Sequence, residues 1–410
     1  MIILPHNIDS ITKIMIEKLM DNSVNHSRFP VDMLLQERTP FYYYDMEVLH
    51  QTLEEIKRHT AGMNSVVHYA LKANGNFNII NEIAKHGLGA DLVSGNEIKA
   101  AIEAGFPAHE MAFSGVGKTD WEIKLGLEKG IGCFNVESIP ELDIIDQLAA
   151  QMGKTAPIAI RVNPDIDAHT HKFITTGTAE NKFGIGIESL MPVVRHAMEL
   201  PHIHLRGLHF HIGSQITQMQ PYVMLCQTIN ELQDRYEQQG TRFELINVGG
   251  GLGIDYNDPD THLIPDFKSY FATFKQHLNF KPNQIIHFEL GRAIVGQCGS
   301  LITRVVFVKE NRNKKFIIVD AGMTDLIRPA LYGAYHKIEN LTAGQAVPME
   351  VYDVVGPVCE STDVFAHDRE LPLTKRGDLL AISSAGAYGE SMASTYNMRD
   401  LPGSIFSSPL

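Results

Sequence analysis

Lys72 closes the segment His68-Tyr69-Ala70-Leu71-Lys72-Ala73-Asn74, directly after an apolar, strand-like run. An amine partly withdrawn from water at such a position can lose its proton and form a Schiff base with an aldehyde cofactor. A surface lysine just past a strand is the plainer alternative. Gly249-Gly250-Gly251-Leu252-Gly253 lets backbone N–H groups converge on an anion without Cβ obstruction; a flexible turn is its alternative. Glu289 ends another apolar run, where an isolated carboxylate is costly unless a cation faces it. A protonated pyridine nitrogen is one such cation, and a structural ion pair with Arg292 or another arginine is the alternative. His211, between Phe210 and Ile212 and beside Gly213-Ser214, is placed to stack on a flat ring or to sit satisfied in the core. Arg328 offers a fork for a carboxylate, with a surface ion pair as the alternative. Cys359, beside Gly356-Pro357 and Glu360, reads as a thiol on a shaped loop or as a small core residue.

These residues need a scaffold that brings distant segments together. Apolar runs rich in β-branched residues recur at 66–71, 90–94, 111–114, 132–136, 158–162, 207–212, 245–248 and 285–290. Most gaps between them carry helical periodicity, as at 78–86, 95–104, 139–151 and 191–199. Strands alternating with helices predict an α/β fold with a parallel sheet, here a closed (β/α)8 barrel; a doubly wound open sheet is the alternative. The barrel demands that chemistry gather at the C-terminal ends of its strands. Lys72, Asp91, Ser94, Ser114, Asn135, Arg161, Asn163, His211, Ser214, the glycine run, Glu289 and Arg292 all fall there.

Beyond the barrel the pattern changes. Runs at 301–308, 316–319, 349–355 and 379–383 read as strands with little helix between them. They predict a second, C-terminal β-rich domain that takes in the early strand Phe41-Tyr42-Tyr43-Tyr44. The expected division is 45–294 for the barrel and 1–44 plus 295–410 for the β-rich domain, packed closely because no low-complexity linker separates them.

Composition narrows the partners. The 410 residues carry a formal net charge of −13 with no long basic run, which argues against nucleic acid and anionic membranes. Cys133, Cys226, Cys298 and Cys359 are far apart and form no CxxC pair. No metal site or disulfide framework is expected, and a reducing cytoplasm fits. The first segment lacks the basic start and continuous apolar run of a signal peptide, and no stretch is apolar enough for a membrane span.

Together, Lys72, the glycine run and Glu289 resemble the alanine-racemase-like (fold type III) pyridoxal-phosphate enzymes, and within them the amino-acid decarboxylases. Seven pieces in this order carry the resemblance: Tyr69-Ala70-Leu71-Lys72-Ala73-Asn74, His209-Phe210-His211-Ile212-Gly213-Ser214-Gln215, the glycine run, Glu289-Leu290-Gly291-Arg292, Arg328-Pro329-Ala330-Leu331-Tyr332, Gly356-Pro357-Val358-Cys359-Glu360-Ser361 and Ala385-Gly386-Ala387-Tyr388. It covers 42–401. The resemblance implies pyridoxal 5'-phosphate as cofactor, attached to Lys72. It implies His211 against the ring and Glu289 keeping the ring nitrogen protonated. Asp91, Ser214, Gly250, Gly251, Leu290, Gly291, Arg292 and Tyr388 would surround the cofactor and its phosphate. Arg292, Arg328, Tyr332, Glu360 and Tyr388 would contact substrate, and Cys359 would donate the proton. Cys359 and Glu360 would come from the second subunit of a homodimer. One departure is Leu290, where the family commonly has proline; the loop then keeps an N–H and loses some rigidity.

Substrate follows from charge. Arg328 for a carboxylate and Glu360 for an ammonium suit an amino acid with both groups at its far end. That favours meso-2,6-diaminopimelate, giving L-lysine and carbon dioxide, the last step of lysine biosynthesis. Decarboxylation of carboxynorspermidine, arginine or ornithine is the alternative. A racemase of the fold would release no carbon dioxide, and non-catalytic carriers of barrel type usually lack the second β-domain.

Overall fold

The computed structural model describes residues 28–166, 182–312, 314–344 and 347–407. The segment read above for a leader pattern, 1–27, lies outside them, as does the tail 408–410.

Strand β1 (Phe41–Tyr44) precedes the barrel. The barrel strands are β2 (Ser65–Ala70), β3 (Gly89–Leu92), β4 (Met111–Phe113), β5 (Cys133–Val136), β6 (Ala156–Asn163), β8 (Ile203–Phe210), β9 (Leu245–Asn247) and β10 (Ile285–Leu290), with a two-residue β7 (Ile185–Gly186) beside β6. Every neighbouring pair is parallel, β5 pairs with β6, and β10 pairs back onto β2, so the sheet closes. The (β/α)8 expectation is met. Register levels the chemistry: Glu289 lies opposite His68, and Ala70 opposite Asp91.

Local sequence explains the helices between the strands. Helix Phe77–Lys85 buries Ile79, Ile80 and Ile83 on one face, each contributing about 1.5–3 kcal/mol by leaving water. Helix Gly95–Ala104 starts on the Ser94 hydroxyl, which accepts from Glu97 N at 3.2 Å, and stops at Gly105 in the left-handed region. Ser94 is therefore used as a cap, which corrects its grouping with the site residues. The strand expected at 207–212 starts earlier, at Ile203. His204 and Arg206 face outward there, 3.0 and 3.7 Å from Glu244, so polar residues hid its first half.

The β-rich part comprises β11 (Gly299–Asn311), β12 (Lys314–Val319), β13 (Ile338–Asn340), β14 (Met349–Val355), β15 (Val364–Pro372), β16 (Leu379–Ile382) and β17 (Gly403–Phe406), in the order β13-β16-β11-β12-β14-β15. As expected, β1 joins it, antiparallel to β11 and parallel to β17. Flanked on both edges, all four residues of β1 are buried. One contiguous apolar cluster runs from barrel residues such as Ile286 to Tyr42, Leu301 and Leu380 of the β-rich part. Asn74 ties the two at the site, donating to Tyr44 Oη (2.7 Å) and Gly386 O (2.9 Å).

Candidate active site

A relay of buried polar side chains crosses the barrel floor at the strand ends. Lys72 Nζ lies 3.0 Å from Asp91 Oδ2. Ser114 donates to Asp91 Oδ1 at 2.9 Å. The Asn135 amide donates both to Ser114 Oγ (2.9 Å) and to Glu289 Oε1 (3.0 Å). Asn247 also donates to Glu289 Oε1 (2.6 Å), and His209 Nε2 donates to Oε2 at 3.0 Å. The carboxylate can only accept, so Nε2 is the donor in this contact, and His209 Nδ1 has no hydrogen-bond partner.

This relay fixes charges. Burial opposes ionisation of Glu289, yet His209 first, then Lys72, hold its carboxyl well below the usual range. Glu289 thus remains an anion at the barrel floor, held by His209 and two amides; among the described residues no arginine pairs with it, unlike the ion pair considered from sequence. Burial and the Glu289 charge push Asp91 up against the pull of Lys72. For Lys72, withdrawal from water acts to lower the pKa, but Asp91, then Tyr388 and Glu289, outweigh it and raise it. That corrects the expectation of a readily deprotonated amine. A carboxylate at 3.0 Å outweighs desolvation of a side chain still 40% exposed to the cavity.

The glycine run forms a cradle that tolerates no side chain. Gly249 and Gly251 have φ of 72° and 100°. A Cβ on Gly250 would lie 1.7 Å from the Glu289 carbonyl oxygen. Gly250 N donates to His211 Nδ1 at 3.3 Å. Burial, then Arg161 and Lys72, keep the His211 pKa well below the ordinary value, so the ring is neutral and presents a flat face. Gly250→Ala is expected to displace the Glu289 backbone. A melting temperature lowered by the equivalent of about 1–3 kcal/mol and weaker cofactor retention would register it.

Above the floor opens a cavity of about 1130 Å³, walled by Lys72, His211, Ser214, Arg292, Arg328 and Tyr388 among others. Arg292 begins a buried turn after Gly291 and donates to Tyr256 Oη (2.6 Å) and Ser214 Oγ (3.0 Å). Tyr388 lies under it, ring centroid 5.0 Å from Cζ. The short helix Arg328–Tyr332 carries Pro329 in its first turn. Its first and last residues, four apart on one face, both line the cavity. Arg328 Nη1 lies 2.8 Å from His336 Nε2, whose Nδ1 faces Ser383 O at 2.9 Å. Burial and Arg328 lower the His336 pKa to about 3, so it is neutral and accepts from Arg328. Among the described residues, no carboxylate pairs with Arg292 or Arg328.

The structure brings together Lys72, Asp91, His211, Ser214, Gly250, Gly251, Glu289, Gly291, Arg292, Arg328, Tyr332 and Tyr388. Leu290 is buried in the apolar core, so only its backbone borders the site. Cys359 and Glu360 are exposed and absent from the cavity wall. Their loop is braced by buried Asp363, which accepts from Val358 N (2.7 Å) and Met323 N (2.6 Å). Glu360 accepts from Tyr396 Oη at 2.7 Å. Sequence reasoning assigned no role to His209, Asn247, Tyr256 or His336. Period-two alternation with His211 was the available signal for His209.

Residues present fit a phosphorylated pyridine aldehyde: an amine at a strand end, an ionised carboxylate across the floor, a flat neutral imidazole and a cradle that a Cβ would fill. Comparisons with known proteins agree. The pyridoxal-dependent decarboxylase, pyridoxal binding domain, matches residues 48–296. The chain is 58% identical over 375 residues to a diaminopimelate decarboxylase of Bacteroides thetaiotaomicron, covering 91% of this chain and 97% of that protein. It is 44% identical over 362 residues to one from Neisseria meningitidis, covering 88% of each. A crystal structure of diaminopimelate decarboxylase from Helicobacter pylori complexed with L-lysine superposes with a TM-score of 0.87 at 39% identity, covering 92% of this chain and 93% of that one.

Proposed function

The chain belongs to the pyridoxal-dependent decarboxylases, and we propose that it removes one carboxyl group of meso-2,6-diaminopimelate as carbon dioxide, leaving L-lysine. The observation that carries the substrate is the Arg292–Arg328 pair. Two buried guanidiniums face the cavity that Lys72 enters, and neutral groups hold them. Such a pair takes a carboxylate and repels an ammonium tip, which disfavours ornithine and arginine. The relatives named for the same reaction support the reading.

Pyridoxal phosphate, when bound, supplies the electron sink for the pair left behind by the departing carbon dioxide. Lys72 would hold it covalently, with the Asp91 carboxylate 3.0 Å from Nζ to steady that nitrogen. Glu289, kept ionised, would hold a proton on the ring nitrogen. His211 offers its neutral face to the ring. Ser214, the Gly250–Gly251 cradle, Gly291, Arg292 and Tyr388 would surround the phosphate. Arg328, with Arg292 and Tyr332, holds the carboxylate that is retained, which leaves the other one unpinned and able to depart.

Cys359 and Glu360 enter from a second subunit, Cys359 to donate a proton to carbon and Glu360 to take the far ammonium. Their exposure on a braced loop away from the cavity supports a homodimer with shared sites. The division into 45–294 and 1–44 plus 295–410 is supported by the closed barrel and the separate β-rich sheet. Four free thiols support a cytoplasmic location. No helix among the described residues is long and apolar enough to cross a membrane.

A panel of meso-diaminopimelate, L-lysine, L-ornithine, L-arginine and carboxynorspermidine, read by carbon dioxide release, tests the substrate. Diaminopimelate is expected to dominate. Arg328→Met is expected to lower kcat/KM for it by about a hundredfold, the scale of a lost charged hydrogen bond. Preference for a substrate without a far carboxylate would sink the assignment.

A further inference from the structure

We propose that Tyr256 is a positioning residue that sets the spacing of the Arg292 and Arg328 guanidiniums, and so the affinity for the retained carboxylate. The inference deepens the reading above and rests on it.

Two like charges brought into one cavity wall repel, and burial adds a desolvation cost. A carboxylate between them would relieve both and would also quench the site. Tyr256 separates them without a charge. Its hydroxyl oxygen accepts from Arg292 Nη1 at 2.6 Å, while the Arg328 Cζ lies 4.8 Å from its ring centroid. One side chain thus offers a lone pair to one guanidinium and a π face to the other. His336 packs edge-on against the same ring, centroids 5.2 Å apart at 81°, and accepts from Arg328. Charges held in this way keep their pull on an incoming anion. Burial, then the nearby Arg292 charge, act to lower the Arg328 pKa, the mark of the repulsion that the two guanidiniums exert on each other.

The backbone gives Tyr256 a fixed post. It follows the glycine run, on a loop held by Gln215. The Gln215 amide donates to Ile254 O at 2.7 Å, and Ile254 N donates back to Gln215 Oε1 at 3.2 Å. Tyr256 itself lines the cavity and is only half-buried, so its replacement leaves the core intact.

Steady-state kinetics of the holoenzyme with Tyr256→Phe and Tyr256→Leu test this. Phenylalanine keeps the face and removes the oxygen; leucine removes both. Tyr256→Phe is expected to raise KM for diaminopimelate roughly 10-fold, the scale of a hydrogen bond to a charged group, and Tyr256→Leu more. The kcat should stay within about threefold and the visible cofactor band should be unchanged, since neither depends on ground-state carboxylate binding. Inhibition by L-lysine, which keeps the bound carboxylate, should weaken in parallel with KM. Inhibition by 1,5-diaminopentane, which has none, should not change. An unaltered KM in Tyr256→Phe, or a fall in kcat with loss of the cofactor band, overturns the inference. A wild type inert toward diaminopimelate sinks the substrate assignment first.

Discussion

Lys72→Ala is expected to abolish both the visible band of lysine-bound cofactor and turnover, the latter by at least about a thousandfold, as when a group acting directly in the chemistry is lost. The reason is positional. Lys72 leaves β2 where the Asp91 carboxylate, Glu289 and the cavity meet. Among the described residues, the other lysine on the main cavity wall is Lys182, on a different strand-end loop. The variant should still fold. Lys72 is 40% exposed, and Asp91, already pushed up by burial, can take a proton once the amine is gone, so no unpaired buried charge has to persist. Asp91 keeps the Ser114 hydrogen bond. Absorbance spectra beside circular dichroism separate loss of attachment from loss of structure. A retained visible band from a lysine-linked cofactor would move the attachment site elsewhere.

The second large effect concerns Cys359. Cys359→Ala is expected to keep the cofactor band and lose most decarboxylation, by about 10²–10⁴-fold for a missing proton donor. The structure makes the shared site testable, because Cys359 lies outside the cavity of its own chain. Lys72→Ala and Cys359→Ala chains, mixed and allowed to exchange, form heterodimers with one site that has both residues. Activity should return to about a quarter of wild type, since half the dimers are mixed and one of their two sites is intact. If each site is built from one chain, mixing restores nothing, and the assignment of Cys359 to the partner fails.

Much of this was legible in the sequence because barrel strands are buried on both faces and read as apolar runs with polar residues at their ends. Lys72, Glu289 and the glycine run each break a strong local pattern. The residues that hold them do not. Asn247 and Asn135 differ from loop asparagines only once the barrel closes and both amides reach Glu289. His336 and Tyr256 acquire meaning only beside the arginines. The proton state of Lys72 was misread for the same reason: desolvation is a local property, whereas Asp91 arrives from the neighbouring strand. In the β-rich part, β13 and β17 are too short to read, and β15, Val364-Phe365-Ala366-His367-Asp368-Arg369-Glu370-Leu371-Pro372, is masked by its charged centre.

The central claim is tested most directly by incubating the purified holoenzyme with meso-diaminopimelate and measuring carbon dioxide and the amino-acid product together. Equal amounts of carbon dioxide and L-lysine are predicted. Epimerised diaminopimelate without carbon dioxide, or no reaction with it while another amino acid is decarboxylated, would contradict the account.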